Sequence, residues 1–346
     1  MRLVCVLALL LVGCGQPEVD VVVGKEDFAS IVERVESGKA NNIHSLMVWQ
    51  QGEKVFELHR QGGGMIGTRT APNIPVGPDE LHNQHSITKS FVATLIFMAV
   101  DEGKLTSLDV PIFSLFPEYQ ADDRDQKLQI TIRDVLNMST GYALDELATS
   151  YASGAGNPFM YHYYAKDLKA QFLETKLAFI PGTRFAYSGL STVGLSKVIE
   201  QLYQEPFTKV MKRKIFVPLG IEDYQWETNQ GSGEAGADWG LRLTPEDMGK
   251  FGELWLNKGE YQGKKLLGEQ WFRQLQQSKF YSYTFGYGLH FWQVPLVDGA
   301  VSAVGIGEQY IMMLPSKKAV IVATGGNYDM PQSPTYTTLV ELTKLL

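Results

Sequence analysis

One stretch constrains this chain more than any other. His85-Ser86-Ile87-Thr88-Lys89-Ser90 runs straight into Phe91-Val92-Ala93-Thr94-Leu95-Ile96-Phe97-Met98-Ala99-Val100. An almost wholly apolar run of this length offers no polar face to water, so it reads as a helix buried on all sides rather than an amphipathic surface helix. A chain of 346 residues is long enough to wrap such a helix, in one two-lobed domain or in two.

The helix opens on a serine with a lysine three residues later. Residues at i and i+3 share a face, so Ser86 and Lys89 point into one cavity. A lysine at the positive end of a helix dipole and short of water is expected to have a lowered pKa, since both effects disfavour its charge. Its neutral amine takes the proton of the neighbouring hydroxyl and makes Ser86 a nucleophile. The Ser86 N–H, at the helix start, is placed to hold a developing oxyanion. Ser-x-x-Lys alone is weak, because residue frequencies supply about one chance hit in a chain of this size. Serine is also a common N-cap. Here the pattern occurs once, and its lysine opens a core helix where a solvated lysine has no place.

Other chemistries find little support. No Gly-x-Ser-x-Gly elbow is present. His82 and His85 have a spacing that could bind a metal, but no Asp/Glu/His cluster in sequence completes a site, so neither metal nor cofactor is expected. His44, His59, His162 and His290 read as ordinary strand or surface residues. The net charge of −7 and the lack of a basic cluster exclude a nucleic-acid partner.

Residues 1–14, from Met1-Arg2 through an apolar run to Leu11-Val12-Gly13-Cys14, read as a targeting segment too short to span a bilayer. The last four resemble the bacterial lipobox, which implies cleavage before Cys14 and its lipidation. The protein is then expected in the bacterial cell envelope, touching the membrane through its lipid anchor only. Gly15, where a retention aspartate could stand, favours the outer membrane, facing the periplasm. Cys5 and Cys14 are the only cysteines, so a mature domain has no internal disulfide and no thiolate chemistry. Residues 15–24 read as a tether and 25–346 as the folded domain.

Asp27 to Glu36 is expected to form an amphipathic helix on Phe28, Ile31, Val32 and Val35. Ile43–Trp49 and Lys54–His59 read as a hairpin, and Gly62–Pro78 as a loop. Further helices are expected over Thr131–Leu136, Thr192–Tyr203 and from Thr244. Thr149–Leu177 is aromatic and helical in flavour, a core or cleft wall. Strands follow at Tyr287–Trp292, Ala300–Gly305, Tyr310–Leu314 and Ala319–Thr324, then a last helix over Thr335–Leu345. Strands at both ends imply an α/β (α+β) fold with one sheet built from the two termini and an inserted, mainly helical lobe.

Several segments, in order, resemble the serine β-lactamase, penicillin-binding protein and esterase superfamily. Its secreted hydrolases, which include esterases and 6-aminohexanoate-dimer amidases, are the nearest likeness. Ser86-Ile87-Thr88-Lys89 resembles the first motif, Thr131-Ile132-Arg133-Asp134-Val135-Leu136 to Gly141 a family segment after it, and Pro181-Gly182 to Tyr187-Ser188 the second-motif turn. Phe216-Val217-Pro218-Leu219-Gly220, Trp239-Gly240-Leu241 to Met248 and the third-motif strand, Ala303-Val304-Gly305-Ile306-Gly307, complete the series. The resemblance implies an antiparallel sheet of β-lactamase/transpeptidase type and Ser86 as the acylated nucleophile. It makes Lys89 the proton acceptor and Tyr187 a second proton carrier, its phenol pKa lowered by the lysine. It also implies an oxyanion hole from the N–H groups of Ser86 and Ile306.

Two positions depart from the pattern. Gly189 stands where the second motif has asparagine, and Ala303 where β-lactamases and peptidases place Lys or His. Without that cation a substrate carboxylate has no partner, which favours a small-molecule ester or amide, or a peptide, over β-lactams and D-alanyl-D-alanine peptides. Arg184 and Arg242 are the cations that could stand in. The alternatives are a β-lactamase or D-alanyl-D-alanine peptidase, and an idle envelope-binding lipoprotein of the same fold.

Overall fold

Alternation builds the sheet. Along Ile43–Gln50 and Ala319–Gly325, Leu46, Val48, Ile321 and Ala323 face one core, while Met47, Trp49, Val320 and Val322 face a second. The computed structural model describes residues 19–346 apart from 24–27, 41, 67–68, 278, 283, 296 and 329–332. Nine antiparallel strands lie in the order Val19–Val23, Glu53–Arg60, Ile43–Gln50, Ala319–Gly325, Gln309–Leu314, Val301–Gly305, Phe291–Gln293, Phe285–Gly288, Phe280–Ser282. Both ends of the chain therefore supply the sheet, as the strand pattern implies. Helices Ala29–Glu36 and Pro334–Thr343 cover one face. Helix Pro245–Leu256 and the Ser86 helix, Ile87–Asp101, cover the other.

Thirteen consecutive residues of the Ser86 helix, Ile87 to Ala99, are buried. Phe91 stacks on Phe251 with ring centroids 3.7 Å apart. Each such side chain contributes roughly 1.5–3 kcal/mol by leaving water, so the helix is fixed by packing rather than by propensity. Three consecutive polar residues in its first turn each tie it to a different segment. Thr88 Oγ1 accepts from Leu241 N–H (3.3 Å), Lys89 Nζ donates to Asp238 O (2.9 Å), and Ser90 Oγ donates to His290 O (2.7 Å). Those bonds fix the rotation of the helix about its axis.

Three expectations need correction. Val19–Val23, inside the stretch read as a tether, pairs with Glu53–Arg60 as an edge strand, because four valines in five residues favour extended backbone. Gly62–Pro78 is not all loop: Gly64–Ile66 pairs with Arg69–Ala71. Tyr287–Trp292 is a tight hairpin, since Leu289 and His290 both take positive φ (56° and 65°) and turn the chain back. Cys14 and the segment 1–14 lie outside the described residues. Among the described residues no helix is long and apolar enough to cross a membrane.

Candidate active site

Ser86 sits at the N-cap of its helix, in a tight turn whose hydrogen bonds run from Ile87 N–H to Gln84 O and from Thr88 N–H to His85 O. His85 precedes it at φ 47°, a left-handed conformation that a non-glycine residue adopts only under constraint. That constraint is visible: His85 is buried, and its Nε2 meets the Tyr328 hydroxyl at 3.1 Å. One turn on, Lys89 Nζ donates to Ser86 Oγ at 3.0 Å, so the i,i+3 geometry expected from the sequence is present. The lysine is 2% exposed, far below what a solvated lysine shows.

Tyr187 arrives from the second-motif turn. Ala186 N–H donates to Met138 O and Glu146 N–H to Tyr187 O, which anchors the turn on both sides. Its ring lies against Tyr287 (5.8 Å) and Trp292 (5.9 Å), and Lys89 Nζ stands 5.1 Å from its centroid. Tyr187 and Ser86 line one cavity, with the Lys89 amine beside both. The Lys89 amine thus donates to two acceptors, the serine oxygen and Asp238 O.

The third-motif strand closes the site. A Cβ at Gly305 would fall 2.3 Å from Gln84 O, so only glycine lets the end of Val301–Gly305 reach the turn before Ser86. Ile306, Gly307 and Glu308 form the hairpin that follows. Ser86, Tyr187, Gly305, Ile306 and Gly307 line one cavity of about 330 Å³, walled by Leu147, Tyr151, Trp292, Val304 and Tyr310. No lysine or arginine is among its described lining residues. Arg242 is turned away, donating to Gln225 and to Leu81 O, and Arg184 lies over the Phe179 ring. Ala303 is buried and presents only a methyl.

The electrostatics overturn one expectation. Burial lowers the pKa of Lys89, but Tyr187, Asp238 and Glu146 outweigh it and hold the amine above the usual lysine value. Asp238 Oδ2 is 3.7 Å away, with both side chains buried. The lowered pKa expected from helix dipole and burial fails because two carboxylates, distant in sequence, fold against the lysine. Tyr187 departs likewise: burial raises its pKa, and Lys89 and Ser86 offset only part of that. The resting pair is therefore ammonium and phenol.

His162 and His290 are not the ordinary residues their sequence context suggests. His162 Nε2 meets Asp238 Oδ2 at 3.1 Å, both side chains buried. Burial lowers its pKa, and Asp238 and Glu146 reverse that to a net rise. His290 donates from Nδ1 to Leu136 O (2.8 Å), so its Nε2 accepts from Thr192 (3.0 Å) and the ring is neutral, with a pKa near 3 from burial. Asp238, His162 and Glu146 carry no motif signal; the missing asparagine at 189 was the only hint that something else must fill its place. Among the described residues these three alone bring possible metal ligands within 4.8 Å of one another. Protein donors already occupy them. Glu146 accepts from Gly189 N–H and from the Tyr151 hydroxyl, and Asp238 Oδ2 faces His162 and Lys89. His82 and His85 do not converge either, since His82 stacks on His44 at 6.0 Å while His85 bonds Tyr328.

A partly exposed serine beside a buried lysine and tyrosine, between an antiparallel sheet and a helical lobe, fits the class of penicillin-recognising serine enzymes and their hydrolase relatives. The chain belongs to the beta-lactamase family, whose model matches residues 34–339. It is 23% identical over 345 residues to the D-alanyl-D-alanine-carboxypeptidase/endopeptidase AmpH of Escherichia coli K12, covering 93% of this chain and 83% of that one. Its fold matches a penicillin-binding protein homologue from Caulobacter crescentus (TM-score 0.72, 16% identity, 95% and 100% of the two chains). It also matches a family VIII carboxylesterase (TM-score 0.71, 14% identity, 95% and 100%).

Proposed function

We infer that this protein cleaves an ester or amide through an acyl-enzyme on Ser86. The observation that carries the reading is the hydrogen bond between Lys89 and Ser86, with the Tyr187 ring beside the amine, in a cavity lined also by Gly305, Ile306 and Gly307. In the fraction of molecules where Lys89 is the neutral amine, Ser86 Oγ attacks the carbonyl carbon and its proton passes to Lys89, beside Tyr187. The N–H groups of Ser86 and Ile306 hold the oxyanion. The tetrahedral carbon collapses, and the pair returns the proton to the departing oxygen or nitrogen. Water then attacks the acyl group by the same route and frees Ser86.

A cavity wall of aromatic and aliphatic side chains joined by Glu308, Asn327 and Ser333, with no lysine or arginine among its described lining residues, supports uncharged acyl groups over substrates that present a carboxylate. Intact-mass spectrometry of the domain after exposure to a fluorophosphonate tests the reading. One adduct on the wild type and none on Ser86→Ala is expected; a folded wild type that takes no adduct overturns it in favour of an idle binder. Panels of esters, amides and penicillins then sort the substrate class, with esters or amides expected to lead. The proposal retains Cys14 as the lipid anchor in the bacterial envelope. Palmitate labelling of cells is expected to mark the wild type and not Cys14→Ala.

A further inference from the structure

The second-motif turn ends in glycine, so position 189 offers no side chain to Lys89. The space is filled from elsewhere. A Cβ at Gly189 would fall 2.0 Å from Asp238 Oδ2 and 2.9 Å from His162 Cε1. His162 comes from helix Phe159–Tyr163, and Asp238 from the loop before strand Leu241–Leu243. Asp238 meets Lys89 twice, by its main-chain oxygen at 2.9 Å and by Oδ2 at 3.7 Å. The same Oδ2 is held by His162 Nε2 at 3.1 Å. The three side chains are 0–2% exposed, so bulk solvent screens the contact little.

We propose that Asp238, backed by His162, is the positioning residue for Lys89, reaching the lysine from a separate loop and taking the place of the amide absent at position 189. The inference rests on the acyl-enzyme reading above for its catalytic meaning. Replacing an amide by a carboxylate changes the chemistry as well as the geometry. An amide oxygen orients the amine without choosing its protonation state, whereas a carboxylate favours the ammonium. His162 tempers that hold, because an imidazolium on Oδ2 cancels part of the charge Lys89 feels. The other titratable groups around Lys89 are Ser86 and His85 at its own helix, Tyr187 and Glu146 from the second-motif region, and His290 from the strand hairpin. His85 and His290 are driven neutral by burial, to pKa values near 4 and 3, so Asp238, Glu146 and Tyr187 set the balance.

Two variants separate this role from a structural one, because they act in different pH ranges. Asp238→Asn keeps the shape and removes the charge. The pH at which fluorophosphonate acylation of Ser86 reaches half its maximum is expected to fall by about one unit, equivalent to a tenfold change in the neutral amine fraction. His162→Gln keeps a donor to Oδ2 and removes the cation. Acylation is expected to slow severalfold at pH 6–7 and to converge on the wild type as the pH rises and the wild-type imidazole loses its proton. In parallel, ¹⁵N-lysine NMR of the full folded domain, with the Lys89 signal assigned through Lys89→Arg, reads the amine directly and needs no turnover. A lower Lys89 pKa in Asp238→Asn supports the proposal even if the wild type takes no adduct, in which case the acyl-enzyme reading alone falls. An unchanged Lys89 pKa in both variants overturns the proposal. Equal slowing at every pH with an unmoved midpoint overturns it too, and leaves the acyl-enzyme reading intact.

Discussion

Gly189 and Asp238 exclude each other's side chains: the Cβ that any other residue would add at 189 falls 2.0 Å from Asp238 Oδ2. The two positions are 49 residues apart in sequence yet share one volume beside Lys89. Gly189→Asn alone is expected to displace the carboxylate, slow acylation about tenfold or more and cost about 1–3 kcal/mol through overpacking. Adding Asp238→Gly returns the volume and should recover most of that stability. Urea unfolding of the four corners of the cycle measures the coupling; strictly additive effects would remove the shared-volume account.

The protonation state of Lys89 sets a pH profile. Its pKa is held above the usual lysine value, so the proton-accepting amine is scarce at neutral pH and grows with each added pH unit. The rate of fluorophosphonate acylation is expected to climb through pH 7, 8 and 9 without a plateau. A plateau reached by pH 7 would mean that burial, and not the carboxylates, governs the lysine.

Gly305 places the strand against the turn before the nucleophile. A Cβ there would meet Gln84 O at 2.3 Å, backbone that cannot swing aside. Gly305→Ala should therefore draw the Ile306 N–H away from the oxyanion position. A loss of roughly 100-fold in kcat, with KM changed much less, is the size expected for one oxyanion donor. Steady-state kinetics on the best ester of the panel decide it; an equal rise in KM would point to ground-state binding instead.

Four buried histidines predict acid lability. Burial pushes His82 and His290 to about 3, and His44 and His85 to about 4, against about 6.5 in the unfolded chain. Between those values the unfolded state binds more protons, so their stabilisation is complete above pH 6.5 and is lost as the pH falls towards 4. Near pH 5 four such groups give a slope of about 5 kcal/mol per pH unit. His162, with a raised pKa, is protonated in both states at pH 5 and leaves the slope unchanged. Urea midpoints measured from pH 7 to 4.5 should fall steeply below 6.5; a flat curve would show these rings to be hydrated.

Much of this architecture was readable from local pattern. The Ser86–Lys89 face follows from helical spacing, and the terminal strands follow from alternating or continuous apolar runs. What escaped was non-local. Nothing near Lys89 in sequence announces Asp238 or Glu146, so a reading from burial and helix dipole put its pKa on the wrong side. His162 looked ordinary because its partner lies 76 residues on. The hairpin at Leu289-His290 escaped for another reason: two non-glycine residues take positive φ there, which turn chemistry does not forecast. Val19–Val23 was hidden by its place just after a leader-like segment, although its composition is that of a strand.

The order of strands in the sheet also dictates when this protein becomes reactive. Ser86 and Lys89 are made early, yet Ser90 binds a carbonyl 200 residues later, and the strand ending at Gly305 and the hairpin after it are made later still. A chain in which that strand has not yet paired thus carries Ser86 and Lys89 without the Gly305–Gly307 segment that lines the same cavity. Assembly of the site is thus a late event, tied to the pairing of strand Val301–Gly305.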